Sequence, residues 1–337
     1  LSWINDNFIS RFFMTVIGWF YSLTGNYLIA VILFTIAIKV LLLPLDIKQR
    51  QSQAKQQGVS AKVKEIQNRY KHDPRLVQQK VREYYKKENI SPAGGCLPLL
   101  LQLPLLFAMF GAITLLSNTE SIKFVTGLAS GQAAMPPAAL WVHNIWRPDS
   151  GSAPVMHTFN EFATLVKSMS GRIPSDMYLA AQTLIDNGQI NQLALTAAKL
   201  PAGSYFSGIV NTALATIPAA SVTNAVTLNY ASAINPVMLA FEGKANGFFV
   251  FPILAAIATF ASSWLQKKQN EKANPTAKQQ GGMEYMMPLI TLWWTSTAGV
   301  PFALYWMTSS VLQAASIPLL NLFARDSKET SLSTTDD

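Results

Sequence analysis

The chain has 337 residues, 50% of them hydrophobic and only 13% charged, with a formal net charge of +8. An average soluble domain is about 25% charged, so the composition points to lipid and away from an ordinary water-soluble globule. The basic residues gather beside apolar runs, where they read as topology signals before nucleic-acid contacts, and a single cysteine, Cys96, excludes an intrachain disulfide.

The chain opens at Leu1 rather than Met, and we expect a leader ahead of it. Within 1–27, Ile4, Phe8, Phe12, Phe13, Val16 and Ile17 recur at helical spacing opposite Asn5, Asp6 and Arg11. Phe12 to Leu23 is too short to cross a bilayer, so this stretch predicts an amphipathic helix lying in the outer interface. Residues 28–45, LIAVILFTIAIKVLLLPL, have a helical length of roughly 27 Å, close to the hydrocarbon thickness, and form the first span. The polar segment 46–96 carries many Lys and Arg and few acids, which places it in the cytosol. Its two helix-forming stretches, 48–71 and 75–88, are broken at Asp73-Pro74 and predict a helical hairpin. Val63, Ile66, Tyr70, Val77, Val81 and Tyr84 supply only a narrow seam for it. Residues 97–116 form the second span, with Pro98 in its first turn and Pro104 expected to bend it.

The region 117–247 then lies outside. Its basic residues Lys123, Arg147, Lys167, Arg172, Lys199 and Lys244 are matched by Glu120, Asp149, Glu161, Asp176, Asp186 and Glu242, as a translocated segment requires. Within it, 151–246 reads as an insertion. Residues 175–198 look helical with a break at Asn187-Gly188, and 206–229 fits strand or helix. The third span is 248–265, and the loop 266–285, with Lys267, Lys268, Lys272 and Lys278, returns to the cytosol by parity. The fourth span, 286–300, and the fifth, 302–323, meet at Gly299 and Pro301, and 324–337 is a cytosolic tail. The fold class is therefore an all-α integral membrane protein. It has a five-helix transmembrane bundle, a cytosolic helical hairpin, an interfacial amino-terminal helix and an extracytoplasmic insertion.

Lys39 lies inside the first span, where a charge near the bilayer centre costs roughly 2.5 to 3.5 kcal/mol. It sits about 9 Å from the cytosolic end of that span, and Gln102 sits about 8 Å into the antiparallel second span, so the two share a depth. Ser309, Ser310 and Gln313 on the fifth span and Thr259, Ser262 and Ser263 on the third add polarity to the same cytosolic half. The outer halves of the first two spans are apolar, so a pocket open inward and closed outward follows. Position alone leaves a second reading of Lys39, snorkelling to the interface, and a second reading of Gln102, an interhelical hydrogen bond. Asp46 shares the face of Lys39 but stands about 10 Å along the axis, which predicts no direct pairing. His72, His143 and His157 lack metal-ligand spacing, and no nucleophile sits beside a base.

GNYLIAVILFTIAIKVLLLPL followed by IKQRQS, then KVKEIQNRYKHDP, GGCLPLLLQLPLLFAMF and MMPLITLWWTSTAGVPFALYWMTSS together resemble the YidC insertases, related to the mitochondrial Oxa and chloroplast Alb proteins. The blocks cover nearly the whole chain except 151–246. The resemblance implies a protein that inserts and folds membrane proteins through a hydrophilic groove open to the cytosol. The basic loops and span parity put the amino terminus outside and the carboxyl terminus inside, and since no organellar transit peptide is visible a bacterial plasma membrane is favoured over an organellar one. It implies no enzymatic chemistry and no cofactor. The partners are nascent membrane proteins and the bilayer, with a Sec-type channel and the ribosome as further candidates and no sequence-specific nucleic acid. Lys39 falls where the family presents a groove cation, commonly Arg; lysine keeps the charge but loses the bidentate fork. Trp306 and Ser263 fall where the family lines its groove, and Gln102, Ser309 and Gln313 join them on polarity and depth. On the hairpin, Lys62, Lys64, Arg69, Arg75 and Arg82 fall on an element thought to engage substrate or partners. The tail RDSKETSLSTTDD is short and not basic, so ribosome docking through it is not expected.

Two other classes compete. A channel or transporter would need polar residues along a complete pore, against which the apolar outer halves argue. An intramembrane protease would need a nucleophile and base, or an acid pair, within the spans.

Overall fold

The computed structural model describes residues 8–88, 97–133, 135–199, 204–218, 220–222, 225, 228–273 and 283–333. Among these residues the regular structure is helical, with no strand and one isolated bridge between Ala139 and Val142. The chain divides into two compact units. Unit 1 is Leu1–Ala112, Phe251–Thr295 and Pro301–Asp337, and unit 2 is Ile113–Val250 and Ser296–Val300.

Unit 1 begins with α1 (Phe8–Thr24) and α2 (Tyr27–Arg69). Gly25 takes φ +65° and its N–H donates to the Tyr21 carbonyl at 2.8 Å, which ends α1 in a left-handed cap. Asn26 then caps α2, its Oδ1 accepting from the N–H groups of Leu28 and Ile29 at 2.8 and 3.3 Å. The helices pack through Phe13, whose ring meets the Phe34 ring edge-on at 5.3 Å, and through Tyr21 stacked on Tyr27. The opposite face of α1 is apolar too, with Phe8, Phe12, Trp19 and Leu23 all more than half exposed.

α2 runs for 43 residues, about 65 Å at helical rise, joining the expected first span and the first hairpin helix in one rod. Lys48 to Arg69 contains no proline, so nothing there breaks the helix. It ends at the KHDP turn. Asp73 caps α3 (Pro74–Lys87) by accepting from the N–H groups of Arg75 and Leu76 at 3.0 and 3.1 Å, and Pro74 occupies the first turn. Of the six seam residues only Val63 is buried, and the others are half-buried.

α4 (Leu97–Ala129) continues well past residue 116 and closes at Gly131, φ +72°, with Gln132 N–H donating to the Gly127 carbonyl at 2.8 Å. α9 (Val250–Ala273), α10 (Met283–Thr297) and α11 (Val300–Ser333) complete the regular structure of unit 1. Among the described residues two helices are long and apolar enough to cross a membrane, α2 over Tyr27–Lys48 and α4 over Pro104–Ala129. α10, with 15 residues, spans only about 22 Å.

Unit 1 buries Ile17, Val31, Phe34, Met109 and Phe302, but on α9 and α10 the pattern is inverted relative to a water-soluble bundle. On α9, Ile253, Leu254, Ile257, Phe260 and Trp264 are exposed while Thr259 and Ser262 are buried. On α10, Tyr285, Met286, Leu289, Ile290 and Trp293 face out while Thr291 and Thr295 are fully buried. Thr35, Thr259, Thr291 and Thr295 each donate a hydroxyl hydrogen bond to the carbonyl four residues back, so burial leaves them satisfied. Large apolar side chains facing out and polar groups turned inward on these two helices are consistent with an apolar surround.

Unit 2 holds the end of α4 with α5 (Phe159–Ser168), α6 (Ser175–Lys199), α7 (Tyr205–Ala215) and α8 (Tyr230–Ala240). Thr158 and Glu161 form a reciprocal capping box that starts α5. Phe162, fully buried, stacks on Tyr230 at 4.5 Å. α6 passes through Asn187-Gly188 unbroken, contrary to the expected break. Gly188 serves packing: a Cβ there would stand 2.6 Å from the Phe159 ring. The ambiguous stretch 206–229 is helical where α7 covers it and lies partly outside the described residues.

The loops of unit 2 are tied at Asn246, which is fully buried. Its Oδ1 accepts from Asn144 N–H at 2.8 Å and its Nδ2 donates to the Asn144 and Pro148 carbonyls at 2.9 Å each. Within the same unit, Val300 N–H donates to the Ile145 carbonyl at 3.0 Å, and a Cβ on Gly299 would sit 3.0 Å from the Trp146 carbonyl oxygen.

Candidate functional site

The inward face of α11 carries Phe302, Trp306, Ser310 and Gln313 at spacings of four, four and three, so one helical stripe passes through chemically distinct layers. The first is aromatic. Phe110 of α4 lies 5.3 Å from Trp294 of α10 and 5.1 Å from Phe302, and Trp306 lies 5.7 Å from both Trp294 and Phe302. Such ring spacings make one contiguous aromatic plug, in which Phe302 is buried and Phe110, Trp294 and Trp306 are half-buried.

The second layer is hydroxylic. Trp306 Nε1 donates to Thr259 Oγ1 at 3.2 Å, and Thr259 and Ser310 share a hydrogen bond at 3.1 Å. The third is ionic. Lys39 Nζ donates to Gln313 Oε1 at 2.7 Å and to Asp46 Oδ2 at 3.2 Å. The Lys39 and Asp46 side chains are 18% and 23% exposed, so the ion pair is neither sealed in the interior nor fully in solvent.

The pairing of Lys39 with Asp46 corrects the expectation drawn from axial rise. Seven residues are two turns on one face; the Asp46 side chain leans back toward the amino end, as the Cα–Cβ tilt of a helix directs, and the long, flexible lysine stem spans what is left. Together these close the gap that a Cα-to-Cα estimate leaves open.

The remaining candidate residues divide. Ser263 and Ser309 are half-buried and take no part in the bonds just described. Gln102 lies on α4, but its side chain is outside the described residues. On the hairpin, Lys62, Lys64, Arg69, Arg75 and Arg82 are all exposed. Lys62 pairs with Glu65 and Lys80 with Glu83, each at 2.8 Å. The hydrogen bond from Lys62, helped by its charge, holds the Glu65 carboxyl below its ordinary range. These are local pairs between solvated groups and add little to stability. Asp46 as a partner and the aromatic plug as a unit are not legible from sequence spacing alone. The helical spacing of Phe302 and Trp306 was the available signal for the plug, but their partners Phe110 and Trp294 come from other helices.

The family model described as 60Kd inner membrane protein matches residues 19–228 and 216–325. Similar curated proteins include the membrane protein insertase YidC of Clostridium perfringens, 27% identical over 201 residues, which are 56% of this chain and 78% of that protein. The protein of that name from Granulibacter bethesdensis is 40% identical over 106 residues, 32% of this chain and 18% of its own length. The one from Nitrosomonas eutropha is 35% identical over 141 residues, 42% and 20% respectively. The matched region thus spans most of the first relative but less than two thirds of the other two.

Proposed function

Because the chain belongs to the 60Kd inner membrane protein family, we propose that it is an inner-membrane insertase, a protein that moves polypeptide segments from cytosol into the bilayer without covalent chemistry. The observation that carries this reading is Lys39. It is a cation within an apolar span, partly exposed, held by Gln313 and backed by the hydroxyl layer and the aromatic plug.

In this reading the five spans lie in α2, α4, α9, α10 and α11. The amino terminus and the 117–247 region are outside, and the α2–α3 hairpin and the carboxyl terminus are inside. The excess of Lys and Arg in 46–96 and 266–285 supports that orientation. Lys39, Gln313, Thr259 and Ser310 then line a wet hollow reaching from the cytosol partway into the membrane, with Gln102, Ser263 and Ser309 contributing to its wall. The aromatic layer of Phe110, Trp294, Phe302 and Trp306 closes it on the outer side.

An arriving hydrophilic segment enters the hollow, where water and the lysine charge reduce the cost of leaving the cytosol. Its apolar part slides along α2 and α11 into lipid, and the polar tail crosses only the remaining outer thickness. The membrane potential adds about 2.3 kcal/mol per charge per 100 mV for an acidic tail moving outward. The exposed hairpin cations Lys62, Lys64, Arg69, Arg75 and Arg82 receive the client first. The protein acts alone or beside a Sec-type channel.

Reconstitution tests the proposal. Lys39→Glu should reduce insertion of a client with an acidic translocated tail by about tenfold or more, as sign reversal of one charge at intermediate dielectric requires, while Lys39→Arg stays near the wild type. Equal protease-protected insertion by all three would refute it.

A further inference from the structure

We infer that Asp46 is the resting counter-ion of Lys39 and is exchanged for a carboxylate of the arriving client, which makes it a specificity-determining residue for acidic segments; this rests on the function proposed above. The lysine ammonium has three N–H donors, and among the described residues two are engaged, by Asp46 Oδ2 at 3.2 Å and Gln313 Oε1 at 2.7 Å. An uncompensated cation at this depth is costly, and a carboxylate two turns along the same helix removes the problem while no client is bound.

The exchange is chemically symmetrical. One ammonium–carboxylate pair breaks as another forms, and the neutral Gln313 amide keeps the ammonium oriented throughout. Asp46 lies at the boundary where the apolar run of α2 gives way to IKQRQ, so its released carboxylate is rehydrated by a short side-chain movement. Lysine acts as a point charge and contacts Asp46 through one carboxylate oxygen, a looser pairing than the two-point grip of a guanidinium. A client carboxylate can displace such a partner, whereas a neutral polar group cannot replace its charge. Asp46 thereby sets how acidic a segment must be to hold Lys39, and its return ejects the client from the site.

Binding of a fluorescent single-span peptide to the full chain in lipid nanodiscs tests this, with the acidic tail compared against a version carrying Asn and Gln for Asp and Glu. Asp46→Asn and Asp46→Ser should tighten the acidic peptide roughly two- to fivefold, the range set by loss of one partly exposed competing ion pair, and leave the neutral peptide unchanged. Asp46→Glu retains the counter-ion and should keep the wild-type ratio. In a Lys39→Gln background, Asp46→Asn should have no effect on either peptide. A merely structural role for Asp46 would shift both peptides alike, and that result, or a weaker acidic complex, overturns the inference. If Lys39→Gln abolishes the acidic preference while the Asp46 variants are silent, only this inference fails. If Lys39→Gln changes nothing, the proposed function fails with it.

Discussion

Asn246 and Gly188 show how much single residues of unit 2 carry. Asn246 side-chain bonds reach partners 102 and 98 residues away in sequence, the two to Asn144 buried and the one to Pro148 part-buried. Asn246→Ala removes the partner of the Asn144 N–H and of the Pro148 carbonyl, while the Asn144 carbonyl keeps the Arg147 N–H, and an orphaned buried group costs about 1 to 3 kcal/mol. Accelerated hydrogen exchange through 144–150 in the full chain should report that loss, and unchanged exchange would argue against the network. Gly188→Ala should destabilise by about 1 to 3 kcal/mol, the usual penalty of overpacking, because the new Cβ meets the Phe159 ring. Its readout is faster exchange in α5 and α6. Neither role was legible in the sequence. An Asn-Gly pair signals a turn locally, and only the ring of Phe159, nearly thirty residues earlier, reverses that meaning. Asp46 was misjudged for a related reason, since backbone spacing omits the reach of side chains.

Helices and loops with strictly local signals were the legible part. Asp73-Pro74 marks a helix start by chemistry contained in two residues, and the cap is there. The continuity of α2 was harder to read, because a switch from apolar to charged residues looks like a boundary although it breaks no backbone hydrogen bond. The loop leading into α5 adds a pH dependence. Burial, and then the Arg147 charge, push His157 down to about 4 from 6.5. At Glu161 burial raises the carboxyl, but the Thr158 N–H, Arg147 and His157 outweigh it and the net shift is downward. Between pH 6.5 and about 4 the unfolded chain therefore binds a proton at His157 that the folded chain refuses. Stability is full above that window and falls as pH drops through it, by on the order of 3 kcal/mol. Protection of 144–168 from exchange should decline across the window in the wild type and stay flatter in His157→Gln. A flat wild-type profile would contradict the burial of that imidazole.

At the scale of the whole molecule, two patterns bear on function. Helices α9 and α10 turn hydroxyls inward and large apolar side chains outward, the arrangement that suits a lipid surround. Along α11 the inward stripe passes from aromatic rings to hydroxyls to the Lys39 ammonium, a gradient of polarity along one helix. The class of protein was legible in composition and in the order of its apolar blocks, but the gradient was not, because each layer draws residues from two or more helices. The central claim is that the Lys39 position faces water entering from the cytosol, and accessibility of a cysteine placed there tests it most directly. In a Cys96→Ser background, Lys39→Cys should react with a membrane-impermeant maleimide in inverted vesicles and stay unlabelled when the reagent is supplied only from the outer side. A cysteine unreactive from both sides, or reactive only from outside, would contradict the account.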